Sequence, residues 1–263
     1  MRQPKLWMFS SLVLAGMVLV PTASAQDLDQ AGTDKVIKEI DDRQRNSGDW
    51  KSQIVIKQSE KNKEDIVYKA ATFRRDKNDK LIILFQEPKS EAGKGYLRSD
   101  KNLWFFDPRI GKWERRTERE RIGGTGSNRQ DFDESRLADE YNPRFVKSAS
   151  IGKYETYQIE LTVKDGQDVA YPKITLWVDK KSGNILKRNE YAASGKLMRR
   201  SLYPRWIKMF SKSKGTDVWY PARILIFDEI QKENRTDIRI LKVDLDKLPV
   251  NIFTKGWLES KSR

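Results

Sequence analysis

Two residue types are missing altogether: the 263-residue chain contains no cysteine and no histidine. Without cysteine there is no disulfide, no thiolate nucleophile and no lipid-modified cysteine. Without histidine the Ser-His-Asp and Cys-His arrangements are gone, and the two absences together remove the ligands most zinc sites use. No metal and no cofactor is expected, and the chain reads as a non-enzyme. Carboxylate-only hydrolysis survives these exclusions. Its candidate pairs, Asp131 with Asp133 and Glu118 with Glu120, are what a chain with 34% charged residues offers anyway. Asp131, Asp133 and Glu134 also lack the ligand spacing and mid-loop glycine of a calcium hand.

Long apolar runs are absent too, apart from one near the start. Arg2 and Lys5 precede an almost uncharged stretch from Leu6 to Val20, Pro21 breaks it, and Ala23-Ser24-Ala25 has the A-x-A form of a cleavage site. This predicts a signal peptide over residues 1–25, because the stretch is shorter than the roughly 20 apolar residues a membrane-spanning helix needs. The mature chain, residues 26–263, is expected to be a single exported domain that relies on its core rather than on disulfides. Its expected compartment is the periplasm, with secretion outside the cell as the alternative.

Acidic residues are outnumbered: Lys plus Arg is 52 against 38 for Asp plus Glu, and loss of Arg2 and Lys5 with the signal leaves a net charge near +12. Such a balance favours anionic partners. Export makes nucleic acid a poor candidate and leaves anionic membrane surfaces, phospholipid headgroups or lipopolysaccharide. The bland reading is that scattered charge only confers solubility.

What the chain does have is a dense meander between Lys80 and Arg116. Four apolar or aromatic runs, Leu81 to Phe85, Gly95 to Leu97, Leu103 to Phe106 and Ile110 to Trp113, are separated by turn residues. Such punctuation predicts an antiparallel sheet. Leu81 to Phe85 and Leu103 to Phe106 are apolar at every position, so both faces need shelter. One face is core; the other needs a helix, a second sheet or a bound apolar ligand.

Around this meander, Asp29 to Gly48 reads as one amphipathic helix with a narrow stripe of Val36, Ile37 and Ile40, capped by Thr33 or Asp34 and stopped by Gly48. Its expected role is to cap the sheet or form part of a lid. Trp50 to Ser59, with Ile54 and Ile56 on one face, and Asp65 to Arg75 read as strands. After Trp113, the charged run Glu114 to Arg121 and the glycine-rich Ile122 to Ser127 lack the frame of a phosphate loop and read as a flap. Asp131 to Tyr141 reads as a short helix. Tyr157, Ile159, Leu161 and Val163 alternate cleanly with polar residues. Strands follow over Tyr171 to Val178, Ile185 to Tyr191, Lys196 to Tyr203, Trp219 to Ile230 and Thr236 to Leu245. Leu248 to Leu258 is expected to tie the C-terminus onto the sheet edge.

The order of Phe85-Gln86-Glu87-Pro88, Gly95-Tyr96-Leu97, Asn102-Leu103-Trp104-Phe105-Phe106-Asp107-Pro108 and the Gly124 to Asp133 stretch resembles the periplasmic LolA/LolB-like outer-membrane lipoprotein-sorting proteins, within their uncharacterised LolA-like branch. The resemblance implies a mainly β, half-open antiparallel β-barrel of about eleven strands, with a helical and loop lid enclosing an apolar cavity for acyl chains. It also implies a carrier of lipid or lipidated protein, with an inner-membrane exporter as donor and an outer-membrane acceptor. Inward-facing candidates for the lipid site are Ile54, Ile56, Ile83, Phe85, Leu103, Phe105, Tyr157, Ile159 and Leu161, with strand parity open by one residue. Arg74 or Arg75 is the counterpart of an arginine that holds the lid. The charged, glycine-rich flap departs from the sorting carrier, which leaves the cargo open among lipoprotein, phospholipid and another amphiphile. The rival reading is a non-carrying envelope module that docks an anionic or protein partner through its basic surface.

Overall fold

The computed structural model describes residues 27–99 and 102–262. The segment read as a signal peptide lies outside them. Among the described residues there are thirteen strands in one antiparallel sheet: β1 (Asp49–Ser59), β2 (Ile66–Arg75), β3 (Lys80–Glu87), β4 (Gly95–Ser99), β5 (Asn102–Asp107), β6 (Lys112–Arg116), β7 (Tyr141–Ile151), β8 (Tyr154–Val163), β9 (Lys173–Asp179), β10 (Ile185–Tyr191), β11 (Leu197–Ser211), β12 (Thr216–Asp228) and β13 (Arg235–Asp244). Three α-helices accompany them: α1 (Gln30–Gln44), α2 (Leu137–Glu140) and α3 (Lys255–Lys261). The expectation of a mainly β, open sheet with few helices holds, with thirteen strands in place of eleven.

The strand order decides the rest. It runs β6-β5-β4-β3-β2-β1-β13-β12-β11-β10-β9-β8-β7, two meanders joined where β1 pairs with β13. Consecutive strands β6 and β7 therefore sit at opposite edges, and no ladder closes the sheet between them among the described residues. Residues 117–140, which connect them, have to travel from one edge to the other. They do so across the concave face, and we call them the strap.

Local chemistry explains where the elements depart from expectation. Strand β7 carries Pro143, polar residues at most positions and an outward-exposed pattern, as an edge strand does, and so lacks the apolar alternation that marks the others. Ile110 belongs to the turn after β5 and is 61% exposed, so β6 begins two residues later than the apolar run predicts. The helix expected from Asp131 to Tyr141 is reduced to the four residues of α2, because Asp131, Asp133 and Glu134 are committed to arginines elsewhere. Helix α1 is capped by Asp29, whose carboxylate accepts from the Gly32 N–H at 2.7 Å, not by Thr33 or Asp34, and ends at Gln44 before Gly48.

Both faces of β3 are sheltered by the chain itself. On the concave side Leu81, Ile83 and Phe85 join a core completed by Ile37 and Ile40 of α1 and Ile122, Phe132 and Leu137 of the strap. On the convex side Ile82 and Leu84 pack with Ala71, Phe73, Leu97 and Phe106 under Ile252, Phe253 and Leu258 of the C-terminal tail. The tail thus lies on the back of the sheet, not along its edge. The need for a second cover, which had admitted a bound ligand, is met by residues 248–262.

Candidate functional site

The concave face is a continuous apolar floor. Strand alternation places Ile54 and Ile56 of β1, Tyr68 and Ala70 of β2, Ile159 and Leu161 of β8, Ile174 and Leu176 of β9, Ile224 and Ile226 of β12 and Ile238 of β13 on the same side. All nine residues expected to face inward do so: Ile54, Ile56, Ile83, Phe85, Leu103, Ile159 and Leu161 are buried in this cluster, and Phe105 and Tyr157 pack against it from its rim. Of the two lid arginines considered, Arg74 faces the concave side. It pairs with Asp76 at 2.8 Å, donates to the Gln44 carbonyl at 3.4 Å at the end of α1 and stacks over Trp50. Arg75 faces the back, where it pairs with Asp49, donates to the Leu248 carbonyl at 3.1 Å and lies over Phe253. Arg74 therefore borders the lid, and Arg75 holds the tail.

The strap lies over this floor and meets it with few apolar side chains. Ile122, Phe132 and Leu137 enter the core, while its charged residues form a buried network among themselves and with Arg45 and arginines of the strands. Arg98 of β4 reaches Asp79 at 2.7 Å and strap Glu118 at 2.5 Å. Arg129, only 2% exposed, pairs with Glu118 and Asp133. Arg136 pairs with Asp79 and with Glu134, which also receives Arg45 at 2.7 Å. On the other side of the floor, Arg199 of β11 grips strap Asp131 through two bonds of 2.8 Å and pairs with Glu190 of β10. Arg188, also of β10, shares Glu190 and donates to Gln130 of the strap at 3.1 Å. Asp41 of α1 completes the attachment by accepting from the Leu137 and Ala138 N–H groups and the Ser135 hydroxyl.

Burial governs the titration of this network. Desolvation, with Asp76 nearby, pushes the Glu134 carboxyl up to about 7 in spite of Arg136 and Arg45. Desolvation also raises Asp41. Asp133 is pushed up by burial, but Arg129 and Arg136 outweigh it and hold the group below the ordinary carboxylate range. Asp131, Asp133 and Glu118, three of the four acids weighed for hydrolysis, each pair with a guanidinium group.

The glycine-rich turn of the strap lies close to the floor. Gly123 adopts φ +60°, and a Cβ there would stand 2.8 Å from the Phe85 ring; a Cβ at Gly126 would stand 2.7 Å from the Thr236 hydroxyl. The Gly126 N–H donates to Thr236 and to Gln58. Two hollows flank this turn. One of about 570 Å³ is bordered by Phe85, Tyr96, Phe105, Gly123 and Gly124, and one of about 270 Å³ by Gln58, Tyr171, Arg199, Ile226 and Thr236. Beneath the strap itself, bordered by Ile54, Arg74, Phe132, Tyr203 and Ile224, the hollow holds only about 70 Å³. That is the space of two or three waters and less than half of the roughly 150 Å³ that admits a benzene. Beneath the strap the concave face is filled, and the larger spaces lie beside the glycine-rich turn.

Sequence reasoning missed Arg98, Arg129, Arg136, Arg188 and Arg199, and Asp41. A trace of them was present: Arg98 follows Tyr96 on the inward parity of β4, and Arg188 and Glu190 stand two apart, on one face of β10. Charge at an inward position is costly unless paired.

Comparison with known proteins agrees with this architecture. The model of a family described as an uncharacterized protein matches residues 77–260, well over half of the chain. No curated protein matches. Among solved structures, the chain is similar to a LolA superfamily protein from Nitrosomonas europaea (23% identity, TM-score 0.73, covering 86% of this chain and 98% of that one). It is similar as well to a putative outer membrane lipoprotein-sorting protein domain from Vibrio parahaemolyticus (16% identity, TM-score 0.75, covering 88% and 100%). A DUF1329 family protein from Desulfovibrio piger is 17% identical, with a TM-score of 0.75 and coverage of 87% and 98%. The chain belongs to the family of that model, described as an uncharacterized protein, and it shares its fold with the LolA superfamily protein.

Proposed function

We propose that the protein is an exported, periplasmic carrier, a single domain from residue 26 onward, that binds a lipid or the acyl chains of a lipidated protein against the concave floor after the strap lifts. It would take its cargo from an inner-membrane donor and pass it to an outer-membrane acceptor without changing it chemically. The observation that carries this reading is the mismatch between floor and cover. An Ile, Leu and Val floor drawn from most strands of the sheet is closed by a segment that contributes three large apolar side chains and is otherwise attached through arginine-carboxylate pairs and backbone hydrogen bonds. Desolvation offsets much of the attraction in a buried ion pair, so such attachments locate the strap without holding it tightly. An acyl chain gains about 0.8 kcal/mol per buried methylene, so about twelve carbons supply on the order of 10 kcal/mol toward displacing it. The fold shared with a putative lipoprotein-sorting domain supports the same reading.

The test is native mass spectrometry of protein recovered from the periplasm, together with titration of a fluorescent fatty acid. Bound lipid, or saturable uptake at one site, is expected. A bare polypeptide mass combined with no uptake at any temperature below unfolding would end the carrier reading. The hollow of only about 70 Å³ beneath the strap favours the second reading, a non-carrying envelope module that docks a partner through its basic surface. That reading requires the floor to stay covered at all times.

A further inference from the structure

The convex side of the sheet is covered unevenly. The C-terminal tail backs β2 to β5, whereas the outward side chains of β11, β12 and β13 are largely part-exposed. There the ladder sets Arg205 opposite Arg223 and Arg223 opposite Arg239. Like charges directly opposite one another weaken a sheet, and three in a row across adjacent strands have a single carboxylate between them. Asp237 accepts from Arg223 at 2.7 and 3.0 Å and from Arg239 at 3.4 Å. Next to this row Lys187 lies over Trp177 at 4.2 Å and Arg200 over Phe227 at 5.0 Å, with Leu202 opposite Leu225 between them. Burial, together with Arg200, pulls Lys187 below the ordinary lysine range.

We propose that this convex face docks on an anionic phospholipid surface. The side chains alternate guanidinium and ammonium groups with leucine and aromatic rings, which matches a layer of phosphates above glycerol and acyl carbon. The presence of three adjacent arginines at a cost to the sheet is then explained by a countercharge that comes from outside the polypeptide. The basic excess of the chain adds long-range attraction to the same surface.

Co-sedimentation with large vesicles tests the proposal. The purified protein should bind vesicles of phosphatidylglycerol and phosphatidylethanolamine in low salt, ignore pure phosphatidylcholine vesicles, and release as salt rises. At about fivefold per basic residue near the surface, Arg223→Gln with Arg239→Gln should weaken partitioning about 25-fold. Asp237→Asn, which frees both arginines, should strengthen it. Thermal melts of each variant separate these effects from misfolding, and the opposite sign expected for Asp237→Asn is not what a folding defect would produce. Equal binding to both kinds of vesicle, or no response to either substitution, would overturn the proposal. So would capture on an anionic polymer such as heparin without binding to phosphatidylglycerol vesicles. Acyl uptake is read separately: a protein that takes up fatty acid but ignores these vesicles refutes docking alone.

Discussion

The same sheet has two covers of opposite kinds. On the convex side the tail is held largely by apolar contact, with two cations beside it: Leu258 is fully buried, Trp257 meets Phe73 edge-on, Lys255 lies over Trp104 at 3.6 Å and Arg75 donates to the Leu248 carbonyl at 3.1 Å. On the concave side the strap is held largely by charge, with arginines of β4, β10 and β11 pinning its acids. Apolar packing is lost wholesale when surfaces part, because water gains nothing from the exposed carbon. Ion pairs that part are rehydrated, and the desolvation they suffered on burial is recovered. A tail built the first way is a permanent layer; a strap built the second way has a defined seat and, on the proposed carrier reading, a modest cost of leaving it.

Four measurements would break or sharpen that contrast. The largest effect is expected from Arg199→Ala, which leaves Asp131 buried without its cation and Glu190 with Arg188 alone, and should cost about 3–5 kcal/mol in urea unfolding. Replacing both members of the strap pair, with Arg199→Met and Asp131→Asn together, keeps the Arg188–Glu190 pair and should recover most of that loss. A double variant as unstable as the single one would show that the network holds the strap strongly. Next, Leu258→Ala should cost about 2–5 kcal/mol with no change in fatty-acid uptake, since the tail and the floor lie on opposite faces. Uptake that rises with loss of the tail would place the lipid site on the wrong side.

Gly123→Ala is expected to cost less, about 1–2 kcal/mol for a left-handed residue with a Cβ, and to push the turn away from Phe85. Fluorescent fatty-acid association should then be faster than in the parent; slower or unchanged association would count against entry beside the turn. The smallest effect concerns Glu134. Its carboxyl titrates near 7 in the folded protein, above its ordinary value, so the unfolded chain releases this proton first as pH rises. Its contribution to stability is complete at acid pH and is lost between about 4.5 and 7. Unfolding midpoints of Glu134→Gln should therefore gain on those of the parent across that window and run parallel above it. A gain with the opposite slope would mean that Arg45 and Arg136 keep the group ionised.

Much of this architecture was legible in the chain. The rows Ile54–Ile56, Leu81–Ile83–Phe85 and Tyr157–Ile159–Leu161 announce their faces because a strand with one buried side must alternate, and every inward residue expected from them lies inward. The edge strand β7 was not legible, since an edge has solvent on more than one side and no such constraint. Nor was the network that seats the strap. Arg98, Arg188 and Arg199 look like any other arginine of a basic chain until a carboxylate from a distant segment is brought to them.

The chain by itself determined that strands form, which way their side chains alternate and that the central meander needs cover on both faces; these follow from contacts between near neighbours and from the period of the backbone. Only the tertiary structure decided what provides the cover. Once the two meanders joined at β1 and β13, β6 and β7 stood at opposite edges, and the linking segment had nowhere to run but across the hollow. That outcome depends on strand order, a property of distant pairings that no local pattern encodes.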